Sequence, residues 1–289
     1  MKNYHDITGD GGSNVVAQVE AKRSRIAECL GGVRHMVAIG SGKGGVGKST
    51  LTMQLAQALR AGGSSVAILD ADLNGPSQAR MAGLGTVAVL PGPDGLVMPR
   101  TASGIGVISM GSLVPETKSL NFDSVVQGDS YVWRATREFG LLGDLLAGVA
   151  WGPLDYLLLD LPPGAERTVQ YIEFFGPATA LVLVTMPSDL SRGVVLRSIA
   201  ALGHAPNRVL GYVENMKGYV CGSCREVRPL FPETSTVDLG LPCLGTVPFD
   251  PEIAAACDLG ITAPRDPDGI AWRSIVHVAD AIRRSLEVS

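Results

Sequence analysis

The run Gly42-Lys43-Gly44-Gly45-Val46-Gly47-Lys48-Ser49-Thr50 constrains this chain more than any other feature. It satisfies the pattern G-x-x-x-x-G-K-[ST] through Gly42, Gly47, Lys48 and Ser49. The apolar run His35-Met36-Val37-Ala38-Ile39 leads straight into it, and residues 49–60 after it set Leu51, Leu55 and Leu59 on one helical face. A glycine loop between strand and helix lets backbone N–H groups converge on phosphate oxygens, and the helix adds its positive end. Lys48 is placed to reach the β- and γ-phosphates and the Ser49 hydroxyl to ligate Mg²⁺, so ATP and Mg²⁺ are the expected ligands of residues 42–50. The bland alternative is a glycine turn with an incidental lysine, and the strand-then-helix setting counts against it.

The same alternation continues along the chain. Apolar runs at 65–69, 104–110, 156–159, 178–185 and 208–213 read as strands with helices between them. Strands apolar on both faces indicate a parallel sheet covered on both sides. The expectation is an α/β fold: a single-domain P-loop NTPase with a mainly parallel sheet and helices on both faces. Residues 1–31 read as a tail with a short helix, residues 32–289 as the ATPase domain, and 83–130 as the least patterned stretch. A net charge of −4 and a pI near 5.6 argue against general affinity for nucleic acid or anionic lipid. Residues 1–21 lack a signal layout, and no apolar run approaches the roughly 18 residues of a membrane span. A cytoplasmic protein is the simplest expectation.

Two further groups carry chemistry. Asp70, Asp72 and Asp160 each stand at or just past an expected strand end. Sheets of this kind bind ligands there, and a carboxylate so placed holds Mg²⁺ through water or orients an attacking water. Each could instead be a plain turn or helix-cap aspartate. The second group is Cys221-Gly222-Ser223-Cys224. Two thiolates cannot complete a four-coordinate sulfur site, but a two-fold dimer would bring together Cys₄, suited to [4Fe–4S] or Zn²⁺. A thioredoxin-like pair wants its first thiol at a helix N-terminus, whereas this one follows a strand. Cys29, Cys243 and Cys257 have no partner at ligand spacing and are expected to be buried apolar residues.

Ser41-Gly42-Lys43-Gly44-Gly45-Val46-Gly47-Lys48-Ser49-Thr50 resembles the deviant Walker A loop of the family containing MinD, ParA, the nitrogenase iron protein and the Mrp/ApbC iron–sulfur carriers. The resemblance implies that Lys43 reaches across a homodimer to the partner's nucleotide. Asp70-Ala71-Asp72-Leu73-Asn74-Gly75-Pro76-Ser77 is similar to the family's first switch, with Asp72 positioning water. Asp160-Leu161-Pro162-Pro163-Gly164 is similar to the second, with Asp160 as the Walker B metal partner and Gly164 near the γ-phosphate. Glu214-Asn215-Met216-Lys217-Gly218-Tyr219-Val220-Cys221 looks like the Mrp/ApbC segment leading into its cysteine pair, which makes Asn215 the adenine contact. Val132-Trp133-Arg134, 151–164 and 244–251 echo that branch as well. The implied activity is slow ATP hydrolysis by a homodimer that holds a [4Fe–4S] cluster between subunits and passes it to apo iron–sulfur client proteins.

Several positions depart from the family pattern. Ala165-Glu166-Arg167 stands where relatives usually carry Thr-Gly-Asp, Ala135-Thr136 replaces Gly-Pro, Asn74 replaces an aromatic, and Gly222-Ser223 is an atypical pair between the cysteines. These leave nucleotide binding intact and bear on hydrolysis rate and client choice. One rival reading is a MinD/ParA-like positioning ATPase, for which Trp272, Ile275, Val276, Ala279, Ile282 and Leu286 could form a membrane-surface helix. Packing of that helix on the sheet is the expectation, with no stable membrane association. The other rival, a small-molecule ligase or kinase, lacks a recognisable substrate pocket.

Overall fold

The computed structural model describes residues 15–72, 75–85, 87, 89–109, 131–203, 205–232, 239–264 and 266–287, with the backbone alone for 15–20, 131–137 and 189–192. In chain order the elements are α1 (Val15–Leu30), β1 (Val33–Ser41), α2 (Lys48–Ala61), β2 (Val66–Asp70), α3 (Gln78–Met81), β3 (Leu90–Gly92), β4 (Gly95–Val97) and β5 (Gly106–Ser109). There follow α4 (Tyr131–Gly148), β6 (Leu154–Asp160), α5 (Ala165–Phe175), β7 (Ala180–Thr185), α6 (Asp189–Leu202), β8 (Val209–Val220), β9 (Val227–Arg228), β10 (Cys243–Phe249), α7 (Pro251–Asp258) and α8 (Ile270–Glu287).

The main sheet runs β10-β8-β7-β1-β6-β2-β5, and every neighbour along that path is parallel. Only β9 departs, pairing antiparallel with the end of β8. Because side chains alternate across a strand, each central strand feeds two cores. Val37 and Ile39 of β1 and Tyr156 and Leu158 of β6 pack with Leu51, Leu55 and Leu59 of α2 and Trp272, Ile275, Val278 and Ile282 of α8. Ala38, Leu157 and Leu159 face the other way, onto Leu142 and Leu146 of α4, Tyr171 and Ile172 of α5 and Val195 of α6. Helices therefore cover both faces, as the continuous apolar runs require.

The structure adjusts several sequence expectations. The strand expected at 208–213 continues to Val220. Its polar members Glu214 and Asn215 are paired with Thr246 and Val247 of β10, so polarity concealed a strand that register keeps. Helix α1 lies against α4, where Lys22 Nζ donates to the Gly140 carbonyl at 2.8 Å and Cys29 Sγ to that of Ala147 at 3.3 Å. The apolar face of α8 is buried, not presented to a surface. Each of Ile275, Val278 and Ile282 contributes about 2 kcal/mol by burial, which is incompatible with that face lying in a lipid headgroup layer. Among the described residues no helix is long and apolar enough to cross a membrane. Within 83–130, β3 and β4 form a small antiparallel hairpin and β5 joins the main sheet. Leu73, Asn74 and residues 110–130 lie outside the described residues, as do the side chains of Trp133, Arg134, Ala135 and Thr136.

Candidate functional site

The glycine loop bridges the end of β1 and the start of α2. Gly47 caps α2 with a left-handed backbone (φ 79°), and no side chain caps the helix. The first amides of a 14-residue helix are thus left for an external acceptor, at the end where the helix dipole favours an anion. Gly44 and Gly45 are exposed, Val46 is buried beneath them, and Thr50 and Lys43 are half-buried at the rim. Gly42 admits no side chain, since a Cβ there would run into Val194 of α6. The Gly164 amide donates to the Ser41 carbonyl at 2.9 Å, tying the loop after β6 to the root of the glycine loop.

Lys48 is buried and ion-paired with Asp160 Oδ1. Its Nζ also lies 3.2 Å from Ser49 Oγ. Burying a lysine and a carboxylate is tolerable only as a pair, so an arriving phosphate must compete with Asp160 for Lys48. Asp70 is fully buried next door. Its Oδ2 accepts from the amides of Ser77 and Gln78 and from Ser109 Oγ, and its Oδ1 from the Asp72 amide at 3.2 Å. Burial and the charge of Asp160 push the Asp70 carboxyl up to about 7 against these hydrogen bonds. These bonds tie Asp70 to the segment that carries Asp72. Asp72 is half-buried, and its Oδ1 accepts from the Gly75 amide at 3.3 Å.

A cleft of about 470 Å³ opens beside the loop, lined by Gly47, Thr50, Leu51, Asn215, Met216, Val247, Pro248, Phe249, Asp250, Ile253 and Ala254, among others. Asn215 is buried at its wall, and its Nδ2 donates to the Val46 carbonyl at 2.9 Å. Met216 beside it is held at φ 58°, a left-handed conformation that costs a non-glycine residue about 1–3 kcal/mol and concentrates at binding sites. The cleft is mostly apolar, with Thr50, Asn215 and Asp250 among its polar members.

The cysteine pair occupies the turn between β8 and β9. The Arg225 amide donates to the Cys221 carbonyl at 2.8 Å, and the Cys221 amide to Glu226 at 2.9 Å. Arg225 takes φ 60° to close the turn. Hydrogen bonds from the Cys224 and Ser223 amides, then from the Cys224 thiol, hold the Cys221 thiol below its usual range, with Arg228 adding a weaker pull. Both thiols are accessible and unbridged. Among the described residues no three or more His, Cys, Asp or Glu side chains gather as a metal site. Arg225 reaches back to α7 and the following loop, pairing with Glu252 at 2.9 Å and with Asp266. The remaining cysteines divide. Cys257 is buried as expected and Cys29 half-buried, but Cys243 is exposed. It opens β10, which stands at one end of the strand order among the described residues.

Glu166 and Arg167, which depart from the family pattern, lie in the first turn of α5, with Glu166 at the helix's positive end. Arg167 turns to Glu138 of α4, which Tyr171 also contacts. Burial opposes its charge, yet Tyr171, Glu138 and Asp72 outweigh that and raise its pKa. Gln78, which joins Ser49 and Asp160, was not singled out because a glutamine opening a short helix reads as solvent-facing.

Comparison with known proteins bears on the family and the fold. The family model described as ParA, NUBPL iron-transfer P-loop NTPase, matches residues 32–283. The iron-sulfur cluster carrier protein of Methanocaldococcus jannaschii is 35% identical over 252 residues, covering 86% of this chain and 82% of that protein. The cytosolic Fe-S cluster assembly factor NUBP2 of Bos taurus is 39% identical over 265 residues, covering 88% and 93%. Among solved structures, the nucleotide-binding protein of Archaeoglobus fulgidus in complex with ADP superposes with a TM-score of 0.70 at 32% identity, covering 86% of this chain and 95% of that one. The cell division ATPase MinD of Pyrococcus furiosus shares the fold at a TM-score of 0.59 and 21% identity.

Proposed function

Because this chain belongs to the NUBPL iron-transfer P-loop NTPase family, we propose that it is a cytoplasmic ATPase that holds a [4Fe–4S] cluster between two subunits and delivers it to apo iron–sulfur proteins. The observation that carries the proposal is that one strand links the two candidate sites. Asn215 of β8 lines the nucleoside cleft, and Cys221 follows the end of the same strand.

In this reading residues 42–50 cradle the triphosphate and Lys48 leaves Asp160 for the β- and γ-phosphates. The orphaned α2 amides support that step, and Asn215 reads the adenine edge. The Mg²⁺ site is assigned to Ser49, Asp70 and Asp160. The donor set is hard oxygen, two carboxylates and one hydroxyl, which fits Mg²⁺ better than a softer ion. When bound, the ion neutralises charge on the phosphates. Asp72 orients the attacking water, and Lys43, half-buried at the open rim, serves the partner's nucleotide. Residues 32–289 form one ATPase domain with α1 docked on it.

Two thiols per chain leave a cluster half-ligated, so the cargo site is completed by the same turn of a second copy. Amides directed at Cys221 stabilise a thiolate ligand, and the accessible turn suits release to a client. Zn²⁺ is the competing occupant of Cys₄. The positioning-ATPase reading loses its main support with the burial of α8.

Anaerobic reconstitution with iron and sulfide tests the proposal. A brown dimer is expected, with Cys221→Ala and Cys224→Ala each colourless and Lys48→Ala brown yet unable to bind ATP. A colourless wild-type dimer carrying only zinc would overturn the carrier reading, and tight ATP binding by Lys48→Ala would overturn the nucleotide assignment.

A further inference from the structure

Gln78 is buried completely, an unusual fate for a side chain with two polar ends. Its Nε2 donates to the Ser49 carbonyl at 2.9 Å and to Asp160 Oδ2 at 2.8 Å. Its own amide donates to Asp70 Oδ2 at 3.0 Å. One residue thus ties together the start of α2 and the segments that follow β2 and β6. Its Oε1, by contrast, has no hydrogen-bond partner among the described residues. A buried amide oxygen left this way costs about 1–3 kcal/mol, so it calls for a ligand or a cause. The orientation is not arbitrary. Flipping the amide would set Oε1 against a carbonyl and a carboxylate oxygen, two acceptors with no proton to give.

The orphan therefore belongs to a side chain whose Nε2 is bonded to Ser49 and Asp160, two of the residues assigned above to Mg²⁺. We propose that Gln78 is a positioning residue of that metal site, an inference that rests on the ATP–Mg²⁺ reading of the glycine loop. Lys48 neutralises Asp160 in the nucleotide-free chain and must leave when phosphate arrives. Gln78 Nε2 then remains as the donor that keeps Asp160 aimed at the metal. Gln78 Oε1 supplies an acceptor to the hydration shell of the ion, the group for which the buried oxygen is otherwise lacking a partner. Gln78 touches neither phosphate nor attacking water in this account, and it acts through Asp160 and the metal's waters.

Calorimetric titration of ADP into the full chain, once with MgCl₂ and once with EDTA, reads the effect as the ratio of the two dissociation constants. Gln78→Met keeps the length and removes both polar atoms. It should leave the EDTA value unchanged and cut the ratio by about tenfold, the worth of one hydrogen bond to a charged group. Gln78→Glu keeps the length and one oxygen but turns the Nε2 donor into an acceptor facing Asp160 Oδ2 and the Ser49 carbonyl. It should also cut the ratio, and it gives an independent reading should Gln78→Met not fold. A packing role would leave this isosteric variant at the wild-type ratio. An unchanged ratio in either variant overturns the inference. Failure of the wild-type chain to bind ADP in either condition would defeat the nucleotide reading itself, a result distinguishable from the other two.

Discussion

Gly45 and Gly47 share a backbone torsion of 79° but not an environment. A Cβ on Gly45 would meet nothing within 4 Å, whereas one on Gly47 would overlap Asn215 Nδ2 and lie 3.3 Å from Met216 Cε. Gly45→Ala should therefore cost only the left-handed strain, about 1 kcal/mol. Gly47→Ala carries the same strain and also displaces Asn215 from the Val46 carbonyl, adding about 1–2 kcal/mol for a hydrogen bond lost in a buried setting. The gap between the two variants then measures the contact between the glycine loop and β8. Urea denaturation of the nucleotide-free protein gives the gap directly, and a cycle with Asn215→Ala isolates it. In the Asn215→Ala background, Gly47→Ala should cost no more than Gly45→Ala. Equal costs in the wild-type background, or a gap that survives removal of Asn215, would refute the contact and with it the seating of Asn215 against the loop.

Lys43→Ala should spare ATP binding and slow phosphate release; normal turnover would remove this lysine from any role across a dimer. Burial, aided by the charge of Arg34, holds the His35 imidazole below its usual 6.5. The unfolded chain therefore binds more protons just below that pH, and stability should decline as pH falls through it. His35→Gln should flatten that part of the profile of melting temperature against pH, and an unaltered slope would show that another group is responsible.

The phosphate loop and the ends of β2 and β6 were legible because the signal is local. A buried parallel strand is a continuous apolar run, and a glycine loop is covalently flanked by its strand and helix. What escaped notice depends on distance along the chain. Arg225 meets Glu252 and Asp266, 27 and 41 positions away, and no short-range pattern encodes such pairings. The extension of β8 was hidden by Glu214, Asn215 and Lys217, whose polarity argued for a loop although β10 pairs with the first two. Gln78 was unreadable for a related reason: its burial is set by the ends of β2 and β6 and the start of α2 converging on it. Cys243 reversed an expectation because edge position, not residue type, decides what a first strand residue meets.

Between Asn215 and Cys221 strand β8 is not a uniform rod. β7 pairs it only as far as Glu214, the register with β10 shifts between Asn215 and Tyr219, and Met216 and Gly218 take φ 58° and 89° inside that gap. A kinked stretch swings where a straight one only pushes, so a movement of Asn215 would be passed on as a tilt of the β8–β9 hairpin, checked by the grip of Arg225 on Glu252 and Asp266.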